Sequence, residues 1–336
     1  MTHDPRAAPP RFPERRMRRL RRTAAIRRLV AETRLSVDDL VAPVFVRDGI
    51  DEPVPIPNLA GIVQHTVDSL VIEAKRLVTL GIPALVLFGV PNAKDAVGSR
   101  ASDFDGISQV GLRAVRDAVG DELVLISDLC LCEYTDHGHC GVLDPRHGVD
   151  NDATLERYAE VALAQAGAGA DLVAPSGMMD GQVSRIRSAL DDAGRIDTGI
   201  LAYAAKFAST MYGPFRQAVN VSIADGGDRR SYQEDTARRR EALDEALLDV
   251  EEGADIVMVK PAVHYLDVLS DVRASVDVPV AAYHVSGEYA MLALAGEAGA
   301  IDLDPAIIET LTAIKRAGAD FVLTYFATRA AELIGA

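Results

Sequence analysis

Two lysines sit where lysines are costly. Lys206 closes the apolar run Leu201-Ala202-Tyr203-Ala204-Ala205, and Lys260 closes Ile256-Val257-Met258-Val259. An unpaired ammonium in an apolar, β-like run costs several kcal/mol. A depressed pKa relieves the cost and leaves a neutral amine able to attack a carbonyl. Two lysines in matching contexts point to a site that forms Schiff bases with one or two carbonyl substrates. The competing reading lets each lysine snorkel from a strand end into solvent. The repeated context weighs against it.

The second chemical cluster holds every cysteine of the chain. Cys130, Cys132 and Cys140 lie between Asp128 and Gly141, together with His137 and His139. Three neighbouring thiols in a reducing compartment form a soft-metal site, with zinc as the first choice. The spacing is not that of a zinc finger. His137 or His139 would complete a closed structural site, whereas three ligands alone leave an open, catalytic position. A disulfide framework does not fit so few cysteines.

A third group is cationic. Arg216 follows Met211-Tyr212-Gly213-Pro214-Phe215, and Arg229 follows Gly226-Gly227-Asp228. Both belong to a long polar insertion after Lys206, the kind of loop that often serves as a lid. Arginines on a lid beside a Schiff-base lysine would clamp a substrate carboxylate. A solvated basic loop is the alternative.

The elements that must carry these groups alternate along the chain. Apolar, β-branched runs at Ala42–Val46, Ala84–Gly89, Leu123–Asp128, Asp171–Pro175, Gly199–Tyr203, Asp255–Lys260, Val278–His284 and Phe321–Tyr325 predict eight strands. Helical periodicity fills Val67–Leu80, Val110–Val119, Leu155–Gly167, Gln182–Ala193 and Glu241–Gly253. Gly-Ala-Asp precedes three of the strands, at residues 169, 253 and 318, as a repeated helix C-cap and strand start. The count is that of an α/β fold, a (β/α)8 TIM barrel. A doubly wound sheet would carry a Gly-rich phosphate loop after its first strand, and none is found there. In a barrel the chemistry belongs at the C-terminal strand ends. Asp128 ends the third strand, Lys206 follows the fifth, Lys260 ends the sixth, Ser286 follows the seventh and Tyr325 ends the eighth.

Composition agrees with a layered α/β enzyme of 336 residues: 49% are hydrophobic, 5% aromatic, and Trp is absent. Residues 1–34 form a separate arm. Pro9, Pro10 and Pro13 precede a crowd of arginines from Arg15 to Arg28, and residues 35–336 are left for the barrel. The arm lacks the interleaved aromatics of a nucleic-acid binder, and the net charge is −15, so docking on an acidic neighbouring subunit is the favoured reading. No apolar run reaches the roughly 18 residues of a membrane span, and no signal-peptide core opens the chain. A cytoplasmic enzyme without nucleic-acid or membrane partners is expected.

Together these motifs resemble the porphobilinogen synthase (5-aminolevulinate dehydratase) family. The matching segments are Asp128 to Gly141, Tyr203 to Ser209, Tyr212 to Gln233, Gly253 to Tyr265 and Tyr283 to Tyr289. Shorter ones are Lys94-Asp95 with Gly98-Ser99, and Ala174-Pro175-Ser176 with Met178 to Gly181. The resemblance implies a homo-octameric barrel that condenses two 5-aminolevulinate molecules into a pyrrole. It implies that Lys206 binds the substrate supplying the acetyl side chain and Lys260 the one supplying the propionyl chain. Arg216 and Arg229 then match the carboxylate clamp for the first substrate, and Ser286 and Tyr325 that for the second. Cys130, Cys132 and Cys140 match the zinc-type variant, with Asp128 as a proton shuttle nearby. Glu245 matches a position that binds an allosteric magnesium in bacterial members. Two departures accompany the match: Gly177 stands where relatives often have Asp, and Ser231 replaces a cysteine of some animal members. A class I aldolase is the main rival, but it needs one lysine and no metal. A nucleic-acid assembly protein would leave both lysine motifs unexplained.

Overall fold

The computed structural model describes residues 11–144, 148–223 and 227–335. The chain divides into two compact units, Met1–Arg34 and Leu35–Ala336. In the first, Pro9 and Pro10 lie outside the described residues. Its described part holds a 3-10 turn, Met17–Arg21, and a six-residue helix, Ala24–Leu29, whose start is capped by the Thr23 side chain. Neither element buries a side chain. A helix this short is marginal in water by itself.

In the second unit, eight parallel strands close into a barrel among the described residues. They are β1 (Leu40–Arg47), β2 (Ala84–Val90), β3 (Val124–Leu129), β4 (Leu172–Pro175), β5 (Gly199–Lys206), β6 (Ile256–Lys260), β7 (Val280–His284) and β8 (Phe321–Thr324). Pairing of Leu40 with Val322 and of Val41 with Leu323 joins the first strand to the last. Their near-continuous apolar burial is that of parallel strands covered on both faces. The surrounding helices include α1 (Val67–Thr79), α2 (Ile107–Val119), α3 (Asn151–Gly167), α4 (Gln182–Asp192), α5 (Arg239–Glu251), α6 (Leu266–Ser275) and α7 (Ser286–Glu297). The expected TIM barrel is the observed fold.

The three Gly-Ala-Asp repeats have a shared role. Gly169, Gly253 and Gly318 take positive φ of 102°, 105° and 127°, a backbone turn that suits glycine. Each Asp then reaches sideways to the preceding strand. Asp171, Asp255 and Asp320 accept from the backbone N–H of Leu125, Ile200 and Val280, each at 2.7 Å. Strands β3, β5 and β7 are thus clasped at their N-terminal ends by the residue that precedes β4, β6 and β8. Arg116 and Arg273 brace two of these carboxylates.

Three site residues sit differently at their strand ends from expectation, the first being Asp128, which is the penultimate residue of β3 because that strand runs on to Leu129. Lys206 does not follow β5 but is its last residue, because the ladder to β6 continues through Ala205 after a register shift between Val257 and Val259. Tyr325 lies one residue beyond β8 rather than ending it.

Candidate active site

The register shift has a chemical result: Lys206 and Lys260 are ladder partners at the C-terminal mouth. They are only 4% and 5% exposed. The Lys206 ammonium donates to the Ser176 carbonyl at the end of β4. Among the described residues Lys260 has no such oxygen partner. Its Nζ lies 4.3 Å from the Tyr283 ring centroid, 4.7 Å from Tyr203, and 5.4 Å from both Tyr212 and Phe215. Aromatic faces offset part of the desolvation of a cation. Burial nevertheless pulls the Lys260 pKa down to about 7, the charge of Lys206 adds to the fall, and Asp128 opposes it. Asp128, in β3, is pushed up to about 7 by burial and by Glu133, against the pull of both lysines. Its Oδ1 is enclosed without a hydrogen-bond partner among the described residues. An amine and a carboxyl poised near neutrality at one mouth suit proton exchange during carbonyl chemistry.

The loop leaving β3 gathers Cys130, Cys132 and Cys140, whose sulfurs all lie within 4.8 Å of one another. All three are buried and free, and the first two sulfurs stand 3.4 Å apart. Thiols of Cys130 and Cys132 directed at Cys140 hold its pKa well below the ordinary thiol range, with Arg229 and Lys206 assisting. Sulfurs bound to one tetrahedral zinc at about 2.3 Å would stand slightly under 4 Å apart, so the triangle fits a soft metal ion with little movement. Among the described residues no histidine joins the group. Both His137 ring nitrogens face backbone partners, the Ala96 carbonyl and the His139 N–H, and His139 Nδ1 meets the Tyr232 hydroxyl. Among the described residues the group that could hold a metal ion is therefore three thiols without a histidine.

Arg216 sits on a short helix, Gly213–Ala218, and Arg229 in the turn that follows. Gly226, at the start of the second loop motif, lies outside the described residues. Arg229 is 7% exposed and donates to the Gly138 carbonyl at 2.9 Å, inside the cysteine loop. Burial and the like charge of Arg229 push the Arg216 pKa down. The Nε of each is enclosed without a partner, and among the described residues neither guanidinium pairs with a carboxylate. A half-buried and a buried guanidinium, neither ion-paired with a carboxylate among the described residues, make a receptor for an anion.

Ser286 opens α7, and its hydroxyl accepts from Phe215 N–H at 3.0 Å and reaches the Met211 carbonyl at 3.3 Å. It thereby ties the arginine helix to the barrel. Tyr325 receives the Tyr283 hydroxyl at 3.3 Å, and its ring stacks on Phe45. Glu245 stands apart on α5. It lines a cavity of about 480 Å³ with Asp180, Glu234, Asp235 and Glu241. Burial, then the charges of Asp180 and Glu241, raise its pKa.

Sequence reasoning missed the aromatic wall around Lys260 and two buried carboxylates. Glu133 accepts from the Cys132 thiol at 3.3 Å. Glu234 is buried, with neither oxygen partnered among the described residues, and is pushed up to about 9 by burial and by Glu245 and Glu241. Its backbone extends the end of β5, donating to the Lys206 carbonyl at 3.1 Å. The only available signal for either was adjacency to a motif residue.

The family model described as delta-aminolevulinic acid dehydratase matches residues 14–333. The chain is 59% identical over 325 residues to the delta-aminolevulinic acid dehydratase of Streptomyces coelicolor, covering 96% of this chain and 98% of that protein. It is 58% identical over 322 residues to the Mycobacterium tuberculosis protein of the same name, covering 95% and 97%. Among solved structures it resembles delta-aminolevulinic acid dehydratase (porphobilinogen synthase) from Toxoplasma gondii in complex with the reaction product porphobilinogen. That likeness has a TM-score of 0.93 at 41% identity and covers 95% of this chain and 91% of that one. With a family model matched from residue 14 to 333 and a relative 59% identical over 96% of the chain, the chain belongs to the delta-aminolevulinic acid dehydratase family.

Proposed function

We propose that the chain condenses two molecules of 5-aminolevulinate into porphobilinogen through Schiff bases on Lys206 and Lys260. The observation that carries this reading is the pairing of two buried lysines across one ladder step, where burial lowers the pKa of Lys260. Each amine attacks a ketone and expels water, forming an imine that activates the neighbouring carbon. Lys206 takes the substrate that supplies the acetyl side chain, and Lys260 the one that supplies the propionyl chain. The guanidinium groups of Arg216 and Arg229, without a carboxylate partner among the described residues, hold the first carboxylate, and Ser286 and Tyr325 the second. Asp128 gives and takes protons as water leaves and the ring closes. Tyr203, Tyr212, Phe215 and Tyr283 exclude bulk water from Lys260. Holding both substrates side by side removes the entropy cost of a bimolecular step.

Cys130, Cys132 and Cys140 would hold a zinc ion, which supplies a Lewis acid for a substrate's free amino group or for departing water. Glu245, in its acidic cavity, would hold a regulatory magnesium ion. The arm, with exposed Phe12, Leu20 and Leu29 among its arginines, docks on neighbouring copies in a homo-octamer. Three free thiols suit the reducing cytoplasm, and among the described residues no helix is long and apolar enough to cross a membrane.

Borohydride reduction in the presence of 5-aminolevulinate, followed by peptide mass mapping, tests the reading. Adducts are expected on Lys260 and Lys206, and Lys260→Ala should abolish turnover while the fold survives. A zinc-loaded, folded protein that yields no adduct on either lysine would refute it.

A further inference from the structure

Helix α3 presents two side chains, Thr154 and Tyr158, one turn apart on a face turned toward the cysteine loop. Both are fully buried. The Tyr158 hydroxyl donates to the carbonyl of Cys140 at 2.7 Å. Thr154 Oγ1 accepts from Val142 N–H at 3.0 Å. On the opposite side, Cys140 N–H points at the Tyr232 hydroxyl at 3.4 Å, and Thr135 donates to the His139 carbonyl at 2.9 Å. The backbone on both sides of the third thiol is therefore held by side chains. Cys130 and Cys132 leave the end of β3 directly and need less support.

Tyr158 reaches Cys140 by passing over residue 177. A Cβ on Gly177 would overlap the Tyr158 hydroxyl and stand 2.6 Å from the ring carbon that bears it. The backbone of Gly177 is not in the left-handed region, so its conformation does not call for glycine. Space does. The adjoining Ser176 carbonyl receives the Lys206 ammonium. The same short segment thus serves a lysine on one side and makes room for a tyrosine on the other.

We propose that Tyr158 is the positioning residue for Cys140, holding its sulfur within reach of a metal shared with Cys130 and Cys132. Gly177 is the complementary notch, where any Cβ would meet the Tyr158 hydroxyl. The inference rests on the metal reading of the three thiols. Hydrogen-bonded supports of metal ligands typically carry a 10- to 100-fold effect on affinity.

The test is titration of the full-length, metal-depleted protein with Co²⁺, read by thiolate-to-cobalt charge-transfer absorption. In Tyr158→Phe the affinity should fall by roughly 10- to 100-fold. Its band should drop from the three-thiolate to the two-thiolate level while circular dichroism is unchanged. A general loss of stability would not change the number of thiolates per bound ion. Gly177→Ala should produce the same loss in the wild-type background and none beyond it in a Tyr158→Leu background, where the colliding ring is gone. Wild-type affinity and band intensity in Tyr158→Phe overturn the inference alone. If that variant does not fold, Gly177→Ala decides, and wild-type binding there overturns it. A wild-type protein that binds cobalt without a thiolate band overturns the metal reading, and this inference with it.

Discussion

Lys206 should govern the titration of Lys260, and replacing it with a neutral side chain of similar length, Lys206→Met, exposes the coupling. Both ammonium nitrogens lie near the same Tyr203 ring, at 5.5 Å and 4.7 Å from its centroid. Their separation therefore cannot exceed about 10 Å. At an effective dielectric of about 20, two unit charges at about 10 Å repel by roughly 1.6 kcal/mol, and closer approach only increases this. That energy is worth slightly more than about one pH unit. The sign follows from the charge: removing a neighbouring cation makes protonation of Lys260 easier, so its pKa rises from about 7 to about 8 or above. The neutral fraction at pH 7 then falls from about half to about a tenth. The assay is the rate of borohydride-trapped adduct on Lys260, measured by peptide mapping across neutral and mildly alkaline pH at saturating 5-aminolevulinate. Wild type should show a midpoint near 7, and the variant a midpoint at least about one unit higher. An unchanged or lower midpoint in the variant would refute the coupling. A wild-type midpoint in the ordinary lysine range would refute the role of burial as well.

Three further outcomes are expected. Prolonged chelation should silence turnover and added zinc should restore it; an enzyme indifferent to chelators contradicts catalytic use of Cys130, Cys132 and Cys140. His284 is buried in β7, and burial lowers its pKa to about 4. Its contribution to stability is present above its ordinary value of 6.5 and is lost as pH falls toward about 4, by up to roughly 3 kcal/mol. His284→Phe should flatten the dependence of the urea midpoint on pH across that window, and an unaltered slope speaks against the assignment. Glu234 and Asp249 are raised to about 9 and about 8. Their neutral forms stabilise the fold below the ordinary carboxylate range, and that contribution fades as pH rises through those values. Magnesium should therefore raise Tm more near pH 9 than near pH 6, and Glu245→Gln should remove the gain. An equal gain in the variant rules out Glu245 as the ligand.

The barrel was legible because its strands are β-branched runs and three of them open on the same Gly-Ala-Asp signal. Both lysines were legible because an ammonium in such a run is anomalous. Their pairing was not. Ala204 and Ala205 have little strand preference, which hid the last turn of the ladder, and the shift beside Met258 that sets Lys206 opposite Lys260 leaves no pattern. The wall around Lys260 is assembled from β5, β7 and the arginine loop, so no single window contains it. Buried Glu133 and Glu234 read as ordinary polar loop residues, since burial of a lone carboxylate is decided by tertiary packing. Gly177 was visible, but the Tyr158 ring that a side chain there would meet lies nineteen positions earlier on a helix.

The aspartate clasps divide the barrel into two ends with different tolerances. At the N-terminal end, three carboxylates join alternate strands with short bonds to backbone N–H groups. That end works as a hoop, and damage to it is damage to folding. The opposite rim contains the lysines, thiols and arginines, and it is furnished by long loops that can change without loosening the staves. A lineage built on this frame can alter its metal loop or its lid while the hoop keeps Lys206 and Lys260 in step. Amide exchange would make the division visible as slow protons at Leu125, Ile200 and Val280 beneath a faster-exchanging mouth.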